Sequence, residues 1–303
     1  MKSESELIPY QCSPLPEGPW LVFVPHADDE SFGMGGTLLL ARQQGIDITL
    51  VFMTDGALGA KDPVDGLVST RRKEAEAVTK KLNAKAVFLQ EPDRGLHLKD
   101  ELICKICDMV SNFAPLAVFF PSPLELHPDH RATALLVWEA LRRLDAFKGA
   151  IFAYDISVQS PINMLIDTSS VIECKHGLMA TYTSQISENN YIGIIESLDQ
   201  ARTYTLSENV KAAEGFLRFA SATEPLQSYM TSIFQSYLGD MPCQPENNND
   251  AGHPNEQTAI ADQLNEEIQE LRRAIEEILN STSWRVTRPL RYIKQKLTGH
   301  APK

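Results

Sequence analysis

Residues 20–53 read WLVFVPHADDESFGMGGTLLLARQQGIDITLVFM. An apolar run from Trp20 to Val24 leads into a polar loop, a stretch of helical period follows at 36 to 44, and a second apolar run spans Ile46 to Met53. That is a strand, a crossover helix and a strand. The alternation continues to about Ser157, with strands predicted at Ala86 to Leu89, Leu116 to Phe120 and Ala150 to Tyr154 and helices at 69 to 82, 100 to 113 and 131 to 144. Crossovers of this length force parallel pairing, so the carboxyl ends of the strands gather on the edge where ligands bind. One more strand, Asn163 to Asp167, and helices at 171 to 183, 190 to 204 and 207 to 220 complete the domain, which is drawn at 1–238. The fold class is α/β, a Rossmann-like, mostly parallel sheet flanked by helices, with an amphipathic helix added at the C-terminus.

The chain has 303 residues, 43% of them hydrophobic, with 28 Lys and Arg against 40 Asp and Glu. The net charge of −12 argues against general affinity for nucleic acid. No apolar stretch is long enough to span a bilayer and the start carries no signal-like run, so the expected compartment is the cytoplasm. Five cysteines (Cys12, Cys104, Cys107, Cys174, Cys243) fit reduced thiols. Cys104 and Cys107 form a CxxC inside an apolar helical pattern and read as buried helix cysteines, not as a redox pair.

Chemistry concentrates at two predicted strand ends. After the first strand comes Pro25-His26-Ala27-Asp28-Asp29-Glu30, followed by Gly33, Gly35 and Gly36. His26 and Asp29, three apart on a tight turn, can reach one ion; a solvated acidic turn or a Mg²⁺ loop would look the same. After the fourth strand comes Leu126-His127-Pro128-Asp129-His130-Arg131. A lone HxxH is often a pair of surface or capping histidines, but this one falls on the same sheet edge as the first cluster. Two histidines with a carboxylate and a fourth position left to water make the ligand set of a hydrolytic zinc site.

With these motifs the chain resembles the PIG-L/LmbE-like family of zinc-dependent N-acetylglucosamine deacetylases. The resemblance covers about residues 19 to 220. It rests on PHADDE at 25–30, where the family usually has HPDDE, and on HPDH at 127–130. Weaker marks are Gly-Gly-Thr ending at 37, MTDGALG at 53–59, Arg71 with Glu74, Asp93 before a glycine, Ser184-Gln185, and Ala213-Glu214 with Phe216. Ala27 departs from the family's proline, which loosens the loop without removing a ligand. The resemblance implies that His26, Asp29 and His130 bind Zn²⁺, with Fe²⁺ able to take the same donors. It implies Asp28 as general base, His127 as a second histidine beside the developing oxyanion, and Asp129 as the residue that orients and charges His127. Arg71 and Asp93 match substrate contacts, although both residue types are ordinarily surface charges. Glu30 is expected to be structural, and Glu74 to pair with Arg71 on the same helix.

The implied activity is removal of an acetyl group from an N-acetylated amino sugar, in bacterial surface-glycan or glycoconjugate synthesis. The alternatives are a deacylase of a thiol glycoside or antibiotic precursor, and a catalytically idle sugar-binding scaffold. Residues 239–257, GDMPCQPENNNDAGHPNEQ, read as a flexible linker. Beyond it Ile260, Leu264, Ile268, Leu271, Ile275 and Ile278 mark a short coiled-coil helix in the segment 258–303. From Trp284 to Lys296 there are five Lys and Arg and no acid. This tail resembles, over a short match, those of bacterial glycosyltransferases and methyltransferases of polysaccharide assembly. An amphipathic seam and a cationic end suit a homo-oligomer, a protein partner or the inner face of an anionic membrane.

Overall fold

The computed structural model describes residues 4–8, 10–60, 65–144 and 147–239. A single turn, α1 (Glu4–Leu7), precedes β1 (Trp20–Val24), whose five residues are all buried. An unbroken apolar run takes this position when helices cover both faces of a parallel sheet. The helix α2 (Asp29–Gln43) leads to β2 (Ile48–Thr54), α3 (Leu67–Lys81) to β3 (Lys85–Glu91), α4 (Asp100–Phe113) to β4 (Ala117–Pro121), and α5 (Pro128–Arg143) to β5 (Ala150–Tyr154). Then follow β6 (Met164–Asp167), α6 (Ile172–Met179), α7 (Thr183–Ile186), α8 (Tyr191–Ala201), β7 (Ala213–Phe219) and α9 (Leu226–Gly239).

The seven strands lie in the order β3-β2-β1-β4-β5-β7-β6. The first five are parallel, while β7 runs antiparallel to both β5 and β6. The order reverses between β1 and β4, because the chain builds outward on one side of β1 and returns to start the other. Loops leaving adjacent strands there diverge and open a crevice. Alternate residues of β1 feed two cores. Trp20, Val22 and Val24 pack with Met34, Leu38, Val78, Leu178 and Ile195 on one face, and Leu21 and Phe23 with Ile106, Leu136, Trp138 and Leu226 on the other.

The helix expected at 171 to 183 is divided into α6 and α7, α9 has no counterpart in the sequence reading, and two further elements differ in ways that bear on the site. The helix expected at 36 to 44 begins at Asp29 and is kinked at Met34 (φ −146°, ψ 24°). Its glycines admit close neighbours: a Cβ on Gly33 would lie 2.6 Å from the Tyr154 ring, and one on Gly36 2.6 Å from Thr168. The kink frees the amides of Gly36 and Thr37, and both donate to the Glu214 carboxylate, at 2.8 and 2.7 Å. Glu214 also meets Lys175 Nζ at 2.7 Å, and that buried lysine meets Asp199 at 2.5 Å.

The stretch 207 to 220, read as a helix, contains β7 instead. Six of its seven residues are buried. Its slot between β5 and β6 leaves backbone donors and acceptors on both edges that only a strand can satisfy, and this tertiary demand overrides the local period. Cys104 on α4 is exposed and Cys107 half-buried, both free, so the expected burial of the pair is only partial. No helix among the described residues is long and apolar enough to cross a membrane. The linker 239–257 and the helix and basic tail at 258–303 lie, beyond Gly239, outside the described residues.

Candidate metal centre and active site

The two motifs leave the carboxyl ends of β1 and β4, adjacent strands at the switch point, and their side chains meet. His26 Nδ1 lies 3.0 Å from Asp29 Oδ2, His130 Nε2 lies 3.1 Å from the same oxygen, and the two ring nitrogens are 3.3 Å apart. All three residues are buried. Donor atoms held at about 2.0–2.2 Å by a tetrahedral ion sit roughly 3.3 Å from one another, so this triangle has the dimensions of three corners of such a site.

The far side of each ring supports the same arrangement. His26 Nε2 faces Asp129 Oδ2 at 3.3 Å and Asp93 Oδ1 at 3.4 Å. His130 Nδ1 points toward Glu125 Oε2 at 3.5 Å and has no closer partner among the described residues. Metal-ligating histidines typically turn the opposite N–H to a carboxylate, which fixes the tautomer and leaves the other nitrogen free to ligate. The carboxylates on the far side of His26 are themselves anchored: Asp129 Oδ2 accepts the Arg94 amide at 2.7 Å and Asp93 Oδ2 the Leu58 amide at 2.9 Å. The residues therefore fit one divalent cation between His26, Asp29 and His130, with Asp93 and Asp129 as acceptors for His26.

The charges fit as well. Burial opposes ionisation of His130, yet Asp29 beside it lifts its pKa to about 9. Burial likewise opposes ionisation of His26, but Asp129, Asp29 and Asp93 raise it. Burial would raise Asp29, but the two histidines hold it well below the usual carboxylate range. Such a cluster calls for positive charge at its centre, as protons or as a metal ion.

Asp28 takes φ 150° and ψ −30°, a conformation L-residues rarely adopt, and such strain concentrates at functional sites. Its carboxylate meets Arg71 Nη2 at 3.2 Å. Burial pushes the Asp28 pKa up to about 7; Arg71 restrains the rise and Asp29 adds to it. Arg71 is itself buried, donating to Ala27 O at 3.0 Å and Gly56 O at 3.4 Å. It is no surface charge. A Cβ on Gly59 would fall 2.0 Å from its Nη1, so glycine in the MTDGALG stretch makes room for the guanidinium.

His127 caps α5, accepting the Asp129 amide on Nδ1 at 3.2 Å. The capping bond leaves Nε2 to carry the ring proton. Burial, and then His26 and His130, lower its pKa, which keeps the ring neutral. Its ring stands edge-on to His26 with centroids 4.6 Å apart. The expected Asp129–His127 pairing takes another form: the Asp129 amide orients His127, while its carboxylate turns to His26 and to the amides of Arg94 and Leu96, because an N-cap turn directs the two side chains apart. Glu74 does not pair with Arg71. It accepts from Thr183 Oγ1 at 2.8 Å and Ser184 N at 2.9 Å, fixing α7 so that Gln185 lines the cleft. Burial lifts Glu30 to about 7 although Ser31 and Tyr182 donate to it, consistent with a structural place beneath the loop.

Sequence reasoning missed Glu125. It is 1% exposed and accepts Ile156 N at 2.6 Å and Ser157 N at 3.1 Å while facing His130. Its one signal was an acid between Leu124 and Leu126, two residues before the HPDH motif. His26, Asp28, Asp29, Arg71, Asp93, His127, His130 and Gln185 line a cleft of about 850 Å³.

Residues 21–141 match the family model PIG-L, described as GlcNAc-PI de-N-acetylase. The chain is 30% identical over 188 residues to the diacetylchitobiose deacetylase of Thermococcus kodakarensis, spanning 56% of this chain and 70% of that protein. Among solved structures, an N,N'-diacetylchitobiose deacetylase from Pyrococcus horikoshii bound to its inhibitor superposes with a TM-score of 0.60 at 26% identity, covering 69% of this chain and 85% of that one. The conserved protein TT1542 of Thermus thermophilus gives 0.58 at 25% identity over 65% of this chain and 93% of its own. A fold with its switch-point crevice, both motifs at one sheet edge and these matches place the chain in the PIG-L/LmbE-like deacetylase family.

Proposed function

We propose that this protein is a zinc-dependent hydrolase that removes the acetyl group from an N-acetylated amino sugar. The observation that carries the reading is the convergence of His26 Nδ1, Asp29 Oδ2 and His130 Nε2 within 3.3 Å of one another, beside the buried carboxyl group of Asp28. The matched relatives that are named as deacetylases of acetylated chitobiose support the substrate class. Two imidazoles and one carboxylate suit zinc, and iron(II) takes the same donors.

Held by His26, Asp29 and His130, the cation would supply Lewis acidity and lower the pKa of water enough for hydroxide to be available at neutral pH. The chain's own groups do the rest. Asp28, poised near neutrality, accepts a proton from the attacking water and returns it to the sugar nitrogen as the amide C–N bond breaks. Arg71 holds Asp28 in place and keeps burial from protonating it permanently. His127, neutral with its proton on Nε2, donates to the carbonyl oxygen as negative charge develops there. Asp93 and Gln185, at the cleft wall, offer an acceptor and a donor to sugar hydroxyls. The setting we propose is bacterial surface-glycan synthesis at the cytoplasmic face of the membrane, with the basic tail as the tether.

The test is metal analysis of the purified full-length protein, combined with amine release from N-acetylglucosamine and its glycosides, with and without chelator. Amine release that chelation abolishes and zinc restores is the expected result. No release from any acetamido sugar by zinc-loaded protein would overturn the reading.

A further inference from the structure

A carboxylate that is 1% exposed needs donors, and Glu125, in the β4–α5 loop, takes them from the loop after β5. Its Oε1 accepts the amides of Ile156 at 2.6 Å and Ser157 at 3.1 Å, and its Oε2 accepts the Ser157 hydroxyl. Three donors suit the ionised form. Ile156 and Ser157 line the wall of the cleft, and the same Oε2 stands 3.5 Å from His130 Nδ1. That ring nitrogen is buried and has no hydrogen-bond partner among the described residues. The Glu125 carboxylate is therefore placed between a segment of the cleft wall and the far side of His130.

Which nitrogen of a neutral imidazole keeps the proton decides which one can ligate. A carboxylate beside Nδ1 keeps the proton there. Nε2, 3.1 Å from Asp29 Oδ2 and 3.3 Å from His26 Nδ1, then turns its lone pair to the centre. Resting on the metal-centre reading, we infer that Glu125 is a positioning residue that fixes the ligating tautomer of His130 and ties this ligand to the Ile156–Ser157 stretch of the cleft wall. Metal affinity and the placement of that stretch then depend on one side chain. Glu125→Gln separates the two duties. Its amide oxygen can keep the bonds to Ile156 and Ser157, because the reverse orientation would set its NH2 against two backbone N–H groups. The NH2 then replaces Oε2 and donates toward His130 Nδ1, which accepts only in the tautomer whose Nε2 carries the proton and cannot ligate. Glu125→Asp does the converse: it keeps the charge near His130 but, one methylene shorter, cannot reach the loop donors as Glu125 does.

The test is titration of the metal-free full chain with zinc in competition with a chromophoric chelator, alongside urea unfolding of the same metal-free proteins. Zinc affinity should fall about 10- to 100-fold in Glu125→Gln and by less in Glu125→Asp. The urea midpoint should move the other way, falling less in Glu125→Gln than in Glu125→Asp. That crossed order marks control of the tautomer, since a purely structural role would move affinity and stability together. Zinc affinity in Glu125→Gln equal to that of wild type, or the same order of the two variants in both measurements, overturns the inference. So does a Glu125→Gln chain that fails to fold, because the residue would then be needed for the loop alone. Wild type that takes up no zinc removes the metal centre and this inference with it, whereas equal uptake by wild type and Glu125→Gln removes only the role of Glu125. Amine release from acetamido sugars, measured on the same preparations, judges deacetylation separately.

Discussion

Removing the Glu214 carboxylate should destabilise the domain without touching His26, Asp29 or His130. Glu214 accepts the Gly36 and Thr37 amides at 2.8 and 2.7 Å and faces Lys175 at 2.7 Å, all in a position 1% exposed. The amides are available because the kink at Met34 interrupts the helical ladder. In Glu214→Ala two buried donors lose their acceptor, at about 1–3 kcal/mol each. Lys175 keeps Asp199, so its charge stays partnered. The expected loss is about 2–6 kcal/mol, a large part of the roughly 5–15 kcal/mol a domain has. Glu214→Gln keeps one carbonyl oxygen and should lose about half as much. The assay is urea unfolding of metal-free protein followed by tryptophan fluorescence, since Trp20 and Trp138 are buried in opposite cores. A midpoint and slope for Glu214→Ala equal to wild type would refute the claim that this carboxylate holds the kinked helix.

Three further outcomes are expected. Metal content should fall well below one per chain in His26→Ala, Asp29→Ala and His130→Ala. It should stay near wild type in Asp28→Ala and His127→Ala, whose kcat should drop by about 10²- to 10⁴-fold; full metal in the first three or full turnover in the last two would contradict the assignments. Asp199 is held up to about 7, by burial first and, against the pull of Lys175, by Glu214. Its folded pKa thus lies above its ordinary value of 3.8, so the stability it contributes is present below about pH 4 and is lost as pH rises through about 7. The stability of wild type relative to Asp199→Asn should fall across that window by up to about 1.4 kcal/mol per pH unit, and a flat difference in urea midpoints would mean the group is ionised throughout. Truncation near Gly239 should leave zinc content and turnover on a small soluble acetamido sugar unchanged while reducing oligomer size in light scattering or salt-sensitive binding to anionic vesicles; lost turnover would place the tail in the active site.

Much of the fold was legible because buried parallel strands announce themselves. Trp20–Val24 and Ala150–Tyr154 are bounded as their apolar runs suggest. The carboxyl ends of two such runs already carried the candidate metal-site residues. What escaped depended on partners distant in sequence. Nothing local distinguishes residues 213–219 from a helix, since only the slot between β5 and β6 makes them a strand. The kink in α2 requires an acceptor 177 residues away in the case of Thr37. Glu74 looked like a partner for Arg71 because both lie on α3, yet the bonds it makes reach Thr183 and Ser184, and Arg71 reaches Asp28. Glu125 went unread because a single acid near a histidine motif has no spacing to betray it.

The attachment of α7 to Glu74 bears on how such an enzyme diversifies. Every group assigned to the reaction lies between His26 and His130, within the matched stretch 21–141, whereas Gln185, Tyr191 and Ile194 lie downstream of it. The downstream wall is fastened to the earlier part at a few points, among them Glu74 to Ser184, Glu30 to Tyr182 and Gly36 to Glu214. Descendants that keep those fasteners can exchange the intervening residues and acquire new glycosides while their hydrolytic machinery is inherited intact. Chemistry and taste for substrate can then evolve at different speeds within one chain.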